Sequence, residues 1–145
     1  MSRYLLFLVL FYSVLFAKNP TVWDFQNSYT LKKDEVATVV ISRKGDKKVN
    51  SKPYVLNFRW TLYDGSKNLT VLLNYMGYPY QYELRKERLR DRIKVKLTKS
   101  NKRVLPDSYA LIVFEDFDTK KMRADFNLFI KDTNKEFLVE FKGRK

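Results

Sequence analysis

Apolar and polar residues alternate along much of this 145-residue chain, as expected for β-strands with one buried face. The clearest case is Tyr54–Tyr63, in which one face is predicted to hold Leu56, Phe58, Trp60 and Leu62, and polar residues take the other. No stretch carries a sustained helical stripe of apolar residues. Further strands are predicted at Glu35–Arg43, Leu69–Tyr75, Tyr109–Phe117, Met122–Lys131 and Glu136–Phe141.

Short clusters of turn-forming residues separate these strands. Asp64–Asn68 is predicted to join two strands in a hairpin, and the last three strands are predicted to form a meander. About eight short strands joined by tight loops predict an all-β domain. An antiparallel β-sandwich and a small barrel both fit this pattern.

The first 17 residues have the composition of an export signal. Arg3 supplies the initial positive charge, Tyr4–Phe16 is almost entirely apolar, and Ala17 is a small residue suited to cleavage. The apolar run is shorter than the about 20 residues that a membrane-spanning helix needs. We therefore expect residues 1–17 to be a cleaved signal peptide and residues 18–145 to form one domain without a transmembrane span. The alternative is an inner-membrane anchor formed by an uncleaved N-terminal segment.

Cysteine and histidine are both absent from the chain. Small secreted eukaryotic domains usually depend on disulfides, so a cysteine-free exported domain favours the periplasm of a bacterium or secretion from it. Without these residues the chain has no thiol nucleophile, no serine–histidine triad and no thiolate zinc site. We expect no catalytic activity, no metal and no cofactor.

The formal net charge of +13 indicates an anionic partner. For an exported protein the available candidates are lipid headgroups, lipopolysaccharide, acidic glycans or an acidic protein. Nucleic acid is disfavoured in this compartment.

The positive charge is densest between Tyr82 and Arg103, where ten basic residues accompany three acidic ones. The apolar positions change from even to odd within this stretch, which predicts a hairpin that pairs Leu84 with Val95. Oppositely charged residues would then face one another across the outer side of the hairpin. Its basic tip and the following loop provide the anion-binding candidates, which are Arg88, Arg90, Arg92, Lys99, Lys102 and Arg103. The alternative is a solvated sheet face whose charges prevent edge-to-edge aggregation.

Tyrosines precede the basic stretch, and Tyr78 and Tyr80 are candidates for stacking against a sugar or a base. The alternation of the strand favours an inward, core-packing orientation for both rings. Tyr78, which is closest to the turn, is the better candidate for exposure.

Four acidic residues are the candidates for hydrolytic chemistry: Asp24, Glu115, Asp116 and Asp118. They lack calcium-loop spacing, and the last three are expected to occupy a solvated hairpin turn.

The sequence therefore predicts an exported, non-catalytic binding or accessory module that recognises an anionic envelope component or an acidic protein. One alternative is a carboxylate-dependent hydrolase of glycans or phosphoesters. The other is a structural or assembly protein that acts by strand addition.

Overall fold

The structure is a computed structural model that describes residues 21–45, 52–87, 89–99 and 101–143. The expected signal peptide and Arg88 lie outside these ranges. Nine strands form within them: β1 (Phe25–Lys32), β2 (Ala37–Arg43), β3 (Tyr54–Tyr63), β4 (Asn68–Tyr75), β5 (Tyr78–Arg85), β6 (Arg92–Thr98), β7 (Ser108–Asp118), β8 (Arg123–Lys131) and β9 (Phe137–Lys142).

The strands form two antiparallel sheets. One has the order β1-β8-β7-β6, and the other has the order β5-β4-β3-β2-β9. This architecture confirms the predicted all-β fold, with a β-sandwich as the form it takes. The described residues include no helix of the length and apolarity needed to cross a membrane.

The core lies between the sheets and follows the alternation of the strands. Leu56, Phe58 and Trp60 of β3 are buried, and burial of each such side chain contributes about 1.5–3 kcal/mol. Leu62, predicted on the same face, is exposed instead, because a register shift between Trp60 and Leu62 interrupts the alternation. The Trp60 indole N–H also donates a buried 2.8 Å hydrogen bond to the carbonyl of Leu31 in β1. Because β1 and β3 belong to different sheets, this bond connects the two layers.

The final strand lies in a different sheet from β8, so the predicted three-stranded meander is wrong. β7 and β8 pair as expected, but β9 pairs with β2. The crossing is made by the 132–136 loop, where the buried Asp132 carboxylate accepts hydrogen bonds from the amides of Glu136 at 3.2 Å and Phe137 at 2.8 Å. A hairpin and a crossing bury the same alternate residues, so the periodicity does not distinguish them.

The predicted hairpin of the basic stretch is also wrong. β5 is an edge strand that pairs with β4, whereas β6 is an edge strand of the other sheet and pairs with β7. Leu84 and Val95 consequently do not pair, and the ion pairs expected across that hairpin are not formed. The inward positions are nevertheless as predicted, because Leu84, Ile93 and Val95 are all buried.

One end of the sandwich, here called the 99 end, contains the loop after β6. This loop, residues 99–107, is hydrogen-bonded to the 132–136 loop, because the Asn134 side-chain amide donates to the carbonyl of Lys99 at 3.1 Å. The turn at 76–77 lies at the same end. β4 ends opposite the beginning of β3, β3 begins opposite the end of β2, and β2 ends opposite the beginning of β9, which follows the 132–136 loop. The first described segment, 21–24, also lies there.

The opposite end, here called the 86 end, contains the 86–91 loop and the β7–β8 turn at 119–122. β6 separates the two basic loops. Its seven residues span about 23 Å at about 3.3 Å per residue.

Candidate functional site

The basic residues that the sequence analysis grouped together do not form one site. Arg88 lies outside the described residues, Arg90 and Arg92 lie at the 86 end, and Lys99, Lys102 and Arg103 lie at the 99 end. The predicted hairpin tip and the loop that follows β6 are thus two separate surfaces.

At the 86 end, carboxylates offset part of the positive charge. The Arg92 guanidinium donates to both oxygens of Asp91, at 2.7 and 3.1 Å, and these bonds lower the pKa of Asp91 despite its partial burial. Lys86 forms a 2.9 Å ion pair with Asp116. Arg90 makes no side-chain hydrogen bond or ion pair with another described residue. This surface therefore has a mixed charge.

The loop at the 99 end has a different composition. From Lys99 to Leu105 there are three basic residues and no acidic one. Asn134 fastens the base of the loop by accepting from the amide of Asn101 at 3.1 Å and donating to the carbonyl of Lys99. Beyond this attachment, Val104 is 94% exposed and Leu105 is 44% exposed. The loop presents apolar side chains directly beside positive charge.

The outward cations of β6 have partners within its own sheet. The Lys94 ammonium lies 4.1 Å from the centroid of the Tyr109 ring, a distance suited to a cation–π interaction. Lys96 forms a 2.6 Å ion pair with Asp107, where the loop returns to β7. At the tip of the 99–107 loop, Lys102 and Arg103 are exposed.

The tyrosine candidates lie on the inner side of β5, as the alternation predicted, but they are not buried. Tyr78 faces Tyr75 and Tyr80 faces Leu73 across the strand pair, yet Tyr78 is 67% exposed and Tyr80 is 47% exposed. The core therefore ends before this part of the edge strand. Core packing of the two rings is wrong, whereas the prediction that Tyr78 is the more exposed of the two is confirmed. Tyr75 is buried, and burial raises the pKa of its hydroxyl to about 12.

A groove that the sequence analysis missed crosses the outer face of β3, β4 and β5. Asn57 faces Asn74, and Arg59 faces Leu72, which in turn faces Gln81. Among the described residues that line this groove, Arg59 carries the only charge. Amides, a guanidinium and an apolar floor are suited to sugar hydroxyls or a carboxylate. The alternation revealed the polar face of β3, but the groove exists only because of the register of three strands.

The carboxylates considered for hydrolysis are distributed over both ends. Asp24, at the 99 end, forms ion pairs with Lys131 and Lys135. At the other end, Glu115 accepts from Asn127 at 2.9 Å, and Asp118 accepts from the amides of two residues in its own turn. The four candidates therefore do not converge.

Two carboxylates, Glu87 and Asp116, do line one cleft at the 86 end. Each has a basic partner: Lys67 lies 3.9 Å from Glu87, and Lys86 lies 2.9 Å from Asp116. The hydrogen bond from Lys86 lowers the pKa of Asp116. A general acid in glycoside hydrolysis needs the opposite shift, so Asp116 is not suited to that role. The described residues contain no group of three or more potential metal ligands.

Comparisons with known proteins do not extend this geometry. No protein-family model, no curated protein and no solved structure matches the chain.

Proposed function

We propose that this protein is an exported, non-catalytic module that binds an anionic component of a bacterial cell envelope through its 99 end. The observation that carries the proposal is the 99–107 loop, whose first seven residues include three basic residues and no acidic one. Positive charge of this kind attracts phosphate-bearing or carboxylate-bearing partners.

The 99–107 loop itself contains one carboxylate, that of Asp107, which forms a 2.6 Å ion pair with Lys96 of β6. Two further carboxylates at this end also have partners within the protein. Asp132 is buried, and both oxygens of its carboxylate accept hydrogen bonds from backbone amides, so the carboxylate is not presented to solvent around the loop. Asp24 is held by Lys131 and Lys135 on the adjacent segment. At the 86 end, by contrast, exposed carboxylates alternate with the basic residues.

Co-sedimentation of the purified protein with envelope fractions tests this function. Phospholipid vesicles, lipopolysaccharide and peptidoglycan are assayed separately at low and high salt. We expect binding to at least one fraction, with an affinity that falls as salt screens the charges.

The K99S/K102S/R103S variant is expected to lose most of this binding, whereas K86S/R90S/R92S, which removes the same number of positive charges at the 86 end, retains it. A preferential effect of R59A on the glycan fractions would instead identify the outer-face groove as the binding site. Absence of binding to every fraction would refute the proposed function.

Strand addition is a second candidate because β1 leaves a suitable edge. Phe25–Lys32 is eight residues long, carries only one charged residue and is a terminal strand of its sheet among the described residues. Such edges are templates for an extended segment of a partner. A photo-crosslinking residue at Gln26 is expected to give discrete protein adducts in cells if this route operates. The same residue at Thr70, on the inner strand β4, is the control.

A further inference from the structure

We propose that the 99 end docks on the surface of a lipid bilayer containing anionic phospholipids, with Val104 and Leu105 entering the interface. This inference rests on the proposed function and specifies its ligand as a membrane surface rather than a soluble acidic glycan. Three features of this end carry it: an apolar loop tip, adjacent cations and the position at which the chain enters the domain.

The apolar tip is the first feature. Val104 has the highest exposure of the large hydrophobic residues described, and Leu105 next to it is also exposed. Met76 and Tyr78, at the 76–77 turn of the same end, are exposed as well. Apolar and tyrosine side chains on one end are suited to the boundary between headgroups and acyl chains.

The adjacent cations supply the second feature. Lys99, Lys102 and Arg103 all precede Val104 in the same loop, and Arg103 is directly adjacent to it. A basic residue close to an anionic lipid surface increases affinity about fivefold. The loop thus combines two signals, apolar insertion and charge, and stable membrane association generally needs both.

The third feature is the entry of the chain. Thr21 begins the described structure at the 99 end, and the apolar run Tyr4–Phe16 ends only a few residues before it in the sequence. If that run engages a membrane, this end of the domain is therefore the one held closest to the bilayer for as long as the run stays attached.

The absence of cysteine from the chain permits a site-specific test. V104C, labelled with an environment-sensitive fluorophore, is mixed with vesicles of phosphatidylglycerol and phosphatidylcholine and with vesicles of phosphatidylcholine alone. L89C is the matched control, because Leu89 is 74% exposed and lies in the basic loop of the opposite end. Intact mass of the purified protein establishes whether residues 1–17 are present, and all variants are compared in the same form.

We expect a blue shift and quenching by lipid-borne quenchers for V104C with anionic vesicles, and no such change for L89C. V104S/L105S is expected to weaken vesicle binding about tenfold or more, and L89S less than about twofold. K99S/K102S/R103S is expected to weaken it about 100-fold at low salt, and less at high salt.

The outcomes separate this inference from the proposed function. If the protein sediments with an anionic fraction while V104C remains in water, or if only a soluble acidic glycan binds, membrane docking is refuted and anion binding stands. Equal responses of V104C and L89C would also overturn docking through the 99 end. If no anionic fraction binds, both proposals fail.

Discussion

Replacing Asp132 tests how the chain crosses from one sheet to the other. The Asp132 side chain is only 1% exposed, and its two oxygens accept hydrogen bonds from the amides of Glu136 and Phe137, at the beginning of β9. In D132A both amides lose a charged acceptor without an obvious replacement. In D132N one oxygen remains, and an NH₂ group occupies the position of the other.

The magnitude follows from the number and burial of these bonds. A hydrogen bond to a charged group contributes about 1.5–3 kcal/mol, and the 3.2 Å bond belongs at the weak end of that range. We therefore expect D132A to lower the free energy of unfolding by about 3–5 kcal/mol and D132N by about 2–3 kcal/mol. With an m-value of about 2 kcal/mol/M, D132A moves the urea midpoint by about 1.5–2.5 M. Tryptophan fluorescence during urea unfolding measures this shift.

Asp118 provides the matched control because it makes a similar motif at the surface. Its carboxylate accepts from the amides of Lys120 and Lys121, both at 3.0 Å, in an exposed turn. Water replaces a lost acceptor there, so D118A is expected to move the midpoint far less than D132A. Similar shifts for the two variants would refute the reasoning, since they would show that burial does not set the cost.

Three further predictions concern a charged group, a turn and the contact between the sheets. Burial alone would raise the pKa of Asp24, but hydrogen bonds from neighbouring lysines and a backbone amide lower it below 3.8. The ionised carboxylate therefore stabilises the fold above about pH 4, and this stabilisation is lost as the pH falls through the folded pKa. D24N should consequently lose less stability than wild type between pH 7 and pH 3 in urea titrations. The side-chain hydrogen bond from Asn68 is the main cause that lowers the pKa of Asp64 to about 2. N68A should therefore raise the pKa of Asp64 towards 3.8 in an NMR titration, and an unchanged pKa would contradict this assignment. W60F removes the indole N–H that donates to the carbonyl of Leu31 and should lower the free energy of unfolding by about 2–4 kcal/mol, measured by thermal or urea unfolding. A decrease below about 1 kcal/mol would show that this hydrogen bond contributes little.

The sequence by itself determined the composition of the strands and the side of each strand that is buried. β3 has the predicted bounds, and Leu56, Phe58 and Trp60 face inwards as the alternation required. It also located the turn within the basic stretch, because the buried positions change there from even to odd numbers. These features depend on the period of a single strand, which local sequence expresses directly.

Only the tertiary structure decided which strands are neighbours and which loops share an end. A loop of about six residues joins β5 and β6 in either a hairpin or a crossing, and both bury Leu84 and Val95 equally well. In the structure β5 pairs with β4, the strand before it, and β6 pairs with β7, the strand after it, and these pairings place β5 and β6 in different sheets. The exposure of Tyr78 follows from the position of β5 at the edge of its sheet, whereas the separation of Arg90 from Lys102 is set by the strand β6 that lies between them. Strand pairing depends on the whole chain, because the alternation within one strand does not specify which other strand its backbone N–H and C=O groups bond to.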